Sequence, residues 1–76
     1  MAALTDKLAN AIAQLEEGQV LSLVKERLEA GVPPLQIVGN LQEGMTEVGL
    51  RFESGEYFLS ELIMSGEIMK KAMALL

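Results

Sequence analysis

Glu43 and Glu47 stand four residues apart in a segment with helical periodicity, so their carboxylates share one helix face. In a helical bundle such a pair can serve a di-metal centre, but that chemistry needs Glu-x-x-His motifs and carboxylates projecting into the core. The chain contains no histidine. Both glutamates also lie off the apolar stripe of their own segment, so the pair reads as a solvated face. Glu16-Glu17 and Lys70-Lys71 read as surface charges too, the lysines suiting a helix C-terminus. Without histidine or cysteine there is no imidazole base, no thiolate nucleophile and no nitrogen or sulfur ligand for zinc. Ser22, Ser54, Ser60 and Ser65 have no nearby base to activate them. No residue is assigned as catalytic or as a metal ligand, and an autonomous enzyme is not expected.

The remaining chemistry is apolar. Phe52, Tyr57 and Phe58 are the three aromatic residues and fall within seven positions. Phe52 closes one helical segment, Ser54-Gly55 turns the chain, and Tyr57, Phe58, Leu59 and Leu62 open the next, so these side chains meet at one tip. Phe52 and Leu62 lie on the main stripes of their helices, Leu59 at a stripe edge and Tyr57 off it; Phe58 reads as core. A small core absorbs some of these but hardly all, and a surplus apolar patch marks a ligand or partner surface.

The stretch GEYFLSELIMSGEIMKKAM, residues 55–73, poses the same question along its length. Wound at about 100° per residue, Phe58, Leu62, Met69, Met73 and Leu76 form one broad face, and Met64, Ile68 and Leu75 form a second. The first is expected to build the bundle. The second is expected to pack on another domain, another helix or a second copy, so self-association of the isolated chain is expected. Met45, Met64, Met69 and Met73 suggest an adaptable, methionine-rich interior.

Six Lys/Arg against eleven Asp/Glu leave a net charge of −5. A nucleic-acid backbone would be repelled. No apolar run approaches the roughly 18–20 residues of a membrane span, and MAALTDKLAN lacks a signal-peptide core. A cytoplasmic protein with no nucleic-acid or membrane partner is expected.

Four helical segments position the tip. The first is expected from Thr5, as N-cap, to Glu17, with Leu4, Leu8, Ala11, Ile12 and Leu15 inward and Gly18 as its stop. The second spans Gln19 to Ala30, with Val20, Leu23, Val24 and Leu28 inward, ended by Gly31 and followed by Pro33-Pro34. The third starts at Pro34 and runs to Glu53 on the stripe Ile37, Leu41, Met45, Val48 and Phe52. The fourth fills the remainder. Short connections favour antiparallel neighbours, so the fold expected is all-α, a compact antiparallel four-helix bundle. Gly39, Gly44 and Gly49 each cost the third helix about 1 kcal/mol relative to alanine. At Gly44 and Gly49 either a packed helix or a bulky ligand approaches closely; Gly39 faces away from the stripe.

The ordered set Pro34, Ile37, Leu41, Gly44-Met45, Val48-Gly49, Phe52, Gly55-Glu56-Tyr57-Phe58-Leu59, Glu61-Leu62 and Met69 resembles the helical cap of cobalamin-binding proteins. These include cobalamin-dependent methionine synthase and the small corrinoid proteins of methyltransferase systems. The similarity covers most of the chain and is densest from Pro34 to Met69. It implies that residues 1–76 are a cap domain over the upper face of a corrinoid, shielding the cobalt-bound methyl group during transfer between substrate and acceptor methyltransferases. It further implies a Rossmann-like cobalamin domain whose Asp-x-His-x-x-Gly loop ligates cobalt from below. This sequence has no such loop and stops where that domain would begin, so cobalt would be held by a domain not in this chain. Carried over by position, the corrin contacts are Phe52, Leu59 and Leu62, with Tyr57 and Phe58 flanking them. Ser60 departs from the family's usual proline after Phe-Leu, which makes the turn less rigid. Two other readings of the sequence are a cobalamin-sensing cap of a transcriptional regulator and a generic helical interaction bundle.

Overall fold

The structure, a computed structural model, describes residues 6–76. Four helices follow one another: α1 Lys7–Ala13, α2 Glu17–Glu29, α3 Pro34–Glu53 and α4 Leu59–Ala74. They form the expected all-α four-helix bundle. Among the described residues, no helix is long and apolar enough to cross a membrane.

Thr5 and Leu4, expected as N-cap and first stripe residue, lie outside the described residues. Within them, Asp6 caps α1, its carboxylate accepting from the Ala9 N–H at 2.9 Å. The same carboxylate takes two hydrogen bonds from the Arg27 guanidinium, at 3.0 and 3.3 Å. Arg27 also donates to the Asn40 side-chain oxygen at 2.9 Å. One N-cap therefore ties the start of α1 to the last turn of α2 and to α3. Desolvation alone would raise the Asp6 carboxyl, but the Ala9 and Leu8 N–H groups and the Arg27 guanidinium outweigh it and hold it below its ordinary value.

The first helix ends earlier than the sequence suggests. Leu15, not Gly18, takes the left-handed turn, at φ 61°. Its N–H donates to the Ile12 carbonyl and the Glu16 N–H to the Ala11 carbonyl, both at 3.0 Å, the two bonds of a Schellman cap. A leucine in this conformation costs about 1–2 kcal/mol, which the packing of its side chain against the core offsets. Gly18 then falls inside the first turn of α2, which starts at Glu17. Gly31, at φ 85°, ends α2 as expected.

Leu8, Ile12, Val20, Val24, Ile37, Leu41, Val48 and Ile68 are the large apolar side chains fully withdrawn from solvent. α1 runs through the middle of this core because its interior face is small: Ala9, Ala11 and Ala13 are buried beside Leu8 and Ile12. It lies closest to α3 at Gly44. A Cβ there would overlap the Ile12 side chain and sit 2.5 Å from the Ala9 carbonyl oxygen, so only glycine permits this crossing. Gly44 is thus a packing glycine. A Cβ at Gly49 or Gly39 would meet nothing within 4 Å.

α4 packs differently from the expectation. Ile68, assigned to the outward stripe, is 1% exposed and belongs to the core. Ser65 and Ala72, three residues before it and four after, are buried with it. Two small side chains flanking an isoleucine let the helix lie close, and the Ser65 hydroxyl is satisfied by donating to the Leu62 carbonyl at 2.7 Å. The stripe expected to build the bundle is only partly used: Met69 packs against the core, whereas Phe58, Met73 and Leu76 are exposed. Met45 also packs on the core, but Met64 and Met73 do not, so the methionine-rich interior reduces to two residues. Lys71 reaches Glu17 on α2 at 3.1 Å.

Candidate functional site

α3 and α4 meet at the Ser54–Phe58 turn, and the apolar residues of the candidate surface flank it. Phe52, in the last turn of α3, is 41% exposed although it continues the stripe of Leu41 and Val48. The stripe simply outruns the core it serves. Leu59, the first residue of α4, is 61% exposed, and Leu62 is half-buried. Phe58 corrects the expectation that it is core: it is 71% exposed. It is the N-cap of α4, with extended backbone at φ −100° and ψ −178°, and so leaves the bundle before the helix begins. Its N–H donates to the Glu61 carboxylate at 2.7 Å, which secures the helix start. Ser60, where the resemblance leads one to expect proline, is exposed in this first turn.

Tyr57 is placed unlike its neighbours. Its hydroxyl turns inward and donates to the Ala13 carbonyl at 2.6 Å. Arg51 donates from one nitrogen to both that carbonyl, at 3.2 Å, and the Tyr57 oxygen, at 3.1 Å. Its Nε donates to Glu47 at 3.0 Å, and its guanidinium carbon lies 5.5 Å from the centre of the Tyr57 ring. Desolvation works against the Arg51 charge, but the hydrogen bonds and charges of Glu47 and Tyr57 raise its pKa above the ordinary value. Glu47 is accordingly not the solvated partner of Glu43 that its spacing suggests. It is 8% exposed, buried because Arg51 one turn later neutralises it. Glu43 remains exposed. Among the described residues, no three Asp or Glu side chains gather to hold a metal ion.

Sequence reasoning missed Arg51, and it missed Ile63 and Leu50, both large and exposed. The signals were present. Arg51 follows Glu47 by four, the spacing of a helical ion pair, and Ile63 follows Leu59 by four on the outward face of α4. A cavity of about 100 Å³ lies among Glu47, Leu50, Arg51, Ser54 and Glu56. It is well below the roughly 300–1,000 Å³ of a ligand pocket. At this place a large flat ligand would lie across the surface rather than enter it.

A family profile described as "B12 binding domain" matches residues 4–76. The chain belongs to the B12 binding domain family. Relatives of this domain include monomethylamine corrinoid protein 1 of Methanosarcina barkeri, 44% identical over 72 residues, or 93% of this chain and 33% of the relative. The monomethylamine corrinoid protein 1 of Methanosarcina mazei is 42% identical over the same shares. The dimethylamine corrinoid protein of Methanosarcina barkeri is 36% identical over 74 residues, 96% of this chain and 34% of the relative. The chain spans about a third of the length of these curated relatives. No solved structure matches it.

Proposed function

We propose that this chain is the cap of a corrinoid methyl carrier, a non-catalytic wall over the upper face of cobalamin. The observation that carries this reading is the exposure of Phe52, Phe58, Leu59 and Ile63 on either side of the turn that joins α3 to α4, while the buried core contains none of them. Family membership and the corrinoid relatives support it. These side chains suit a flat macrocycle whose metal is gripped from elsewhere: they exclude water and offer no atom that could ligate or protonate a cobalt centre. Phe52 and Leu59 are the main contacts, Leu62 lines the edge, and Phe58 extends the wall. Bound cobalamin would supply a cobalt able to carry a methyl group; the chain would supply the dry side of its site. The lower ligand would come from a Rossmann-like domain, and the methyl donor and acceptor from partner methyltransferases. The wall would have to swing aside for them, which a cap with its own core permits. A cytoplasmic location belongs to the same proposal.

The test is a chimera in which this chain replaces the matching third of the Methanosarcina barkeri monomethylamine corrinoid protein, loaded with methylcobalamin. Leu59→Ala and Phe52→Ala should each raise the rate of cobalt–methyl photolysis several-fold. Leu59 is the more exposed of the two, so Leu59→Ala should shift folding stability by no more than about 0.5 kcal/mol and Phe52→Ala, which loses part-buried ring area, by about 1 kcal/mol. If both variants leave cobalt reactivity at the parent level, the wall is misassigned.

Uncovered, the same surface should make the chain associate with itself. Leu59, Ile63 and Met73 recur at helical spacing along the outward face of α4. Sedimentation of the isolated chain should show reversible association at high concentration, reduced by Ile63→Lys; a strictly monomeric profile contradicts this.

A further inference from the structure

The Ala13 carbonyl closes α1 and has no partner within its own helix, as the last carbonyls of a helix never do. Here it receives the Tyr57 hydroxyl at 2.6 Å and the Arg51 guanidinium at 3.2 Å, from the end of α3 and the turn beyond it. The turn is held a second time through its backbone. The Tyr57 N–H donates to the Arg51 carbonyl at 2.9 Å, and the Ser54 hydroxyl donates to the same oxygen at 3.0 Å. Glu47 fixes the guanidinium from one turn back at 3.0 Å, and Glu56 stands 3.8 Å away on the solvent side. Every member of this cluster has a partner: among the described residues, no buried side-chain nitrogen or oxygen is left unsatisfied. Phe58 and Leu59, among the most exposed large apolar residues, follow Tyr57 directly in the chain.

We propose that Tyr57 and Arg51 are positioning residues, which lock the turn between α3 and α4 onto the end of α1 and thereby set the orientation of Phe58 and Leu59. This rests on the cap reading for what the oriented surface faces, but not for the lock itself. The lock explains how a turn of five residues, containing glycine and lacking proline, can hold two large exposed side chains in place. It also separates Tyr57 from the two phenylalanines of the segment: its hydroxyl is held against the end of α1, whereas the Phe52 and Phe58 rings are exposed.

Tyr57→Phe removes one oxygen and keeps the ring. In this chain, amide hydrogen exchange should rise about fivefold or more over residues 54–60, the scale of one lost hydrogen bond. The amides of Ile12, Leu41 and Ile68 should exchange as before. Unchanged exchange in the turn, or a uniform rise across all four helices, would overturn the lock. In the methylcobalamin-loaded chimera, Tyr57→Phe should raise photolysis when Leu59 is present and add nothing in the Leu59→Ala background, because the two residues then act as one unit. Additive effects, or no effect of Tyr57→Phe where Leu59→Ala has one, would show that the lock does not orient Leu59. If Leu59→Ala and Phe52→Ala are themselves silent, the cap reading fails, while the exchange experiment still decides the lock.

Discussion

Replacing Gly44 with alanine should destabilise this domain by about 2–3 kcal/mol, whereas the same change at Gly49 or Gly39 in the same helix should stabilise it by about 0.5–1 kcal/mol. The contrast follows from what the new methyl group meets. At Gly49 and Gly39 there is open space, so alanine contributes only its better helix propensity. At Gly44 the methyl would overlap Ile12 and approach the Ala9 backbone to 2.5 Å. A side-chain tip can rotate away, but a carbonyl oxygen in a helix cannot. α1 would have to retreat as a body and carry Leu8 and Ile12 off the core. Domains hold about 0.05–0.15 kcal/mol per residue, which for a chain of 76 residues is about 4–11 kcal/mol. The loss would therefore be a large share of the whole. Urea unfolding midpoints of the three variants decide the matter. If Gly44→Ala rises with the other two, α1 does not cross α3 there.

Asp6→Ala should have the next largest effect, about 2–3 kcal/mol at neutral pH. Loss of an N-cap costs about 1 kcal/mol, and hydrogen bonds to a charged partner are worth about 1.5–3 kcal/mol. The effects overlap because one carboxylate performs both tasks. The variant also leaves Arg27 without its anion, with only Asn40 as a partner. The pH dependence has a definite sign. The folded-state pKa of Asp6 lies below its ordinary value. Its stabilisation is therefore complete above that ordinary value and disappears as pH falls through the lower, folded-state pKa. The stability gap between parent and Asp6→Ala should be widest near neutrality and close in acid below about pH 4. Urea titrations at stepped pH check this; a gap that persists undiminished at the acid end would mean that the Asp6 carboxylate is not the stabilising group.

Much of the architecture is legible in the sequence. Of the stripe Ile37, Leu41, Met45, Val48 and Phe52, all but Phe52 pack inward, and the stops at Gly31 and Ser54-Gly55 stand where the spacing puts them, because α3 is long and its period is regular. Short α1 was misread at its end. Leucine at position 15 continues the stripe, and nothing local says that it will take a left-handed turn. Only the packing of its side chain against the assembled core makes that conformation worth its strain. α4 was misread for a related reason. Its apolar residues nearly surround it, so periodicity could not say which of two faces lies inside. The choice fell to Ser65 and Ala72, whose small size allows close approach around Ile68. The tethering roles of Arg51 and Tyr57 are hidden because their shared partner, Ala13, lies 38 and 44 residues away, whereas the Glu47–Arg51 pair is local, four residues apart.

By itself, then, the sequence determined the helical class, the absence of imidazole and thiol chemistry, and the apolar character of the segment from Phe52 to Met64. These depend on residue type and on spacing within one helix. Tertiary structure decided which apolar residues face outward, which carboxylate is buried and which aromatic ring is tethered. Those outcomes depend on contacts between residues far apart in the chain, where the closeness of two helices is set by a glycine or an alanine rather than by any periodic signal.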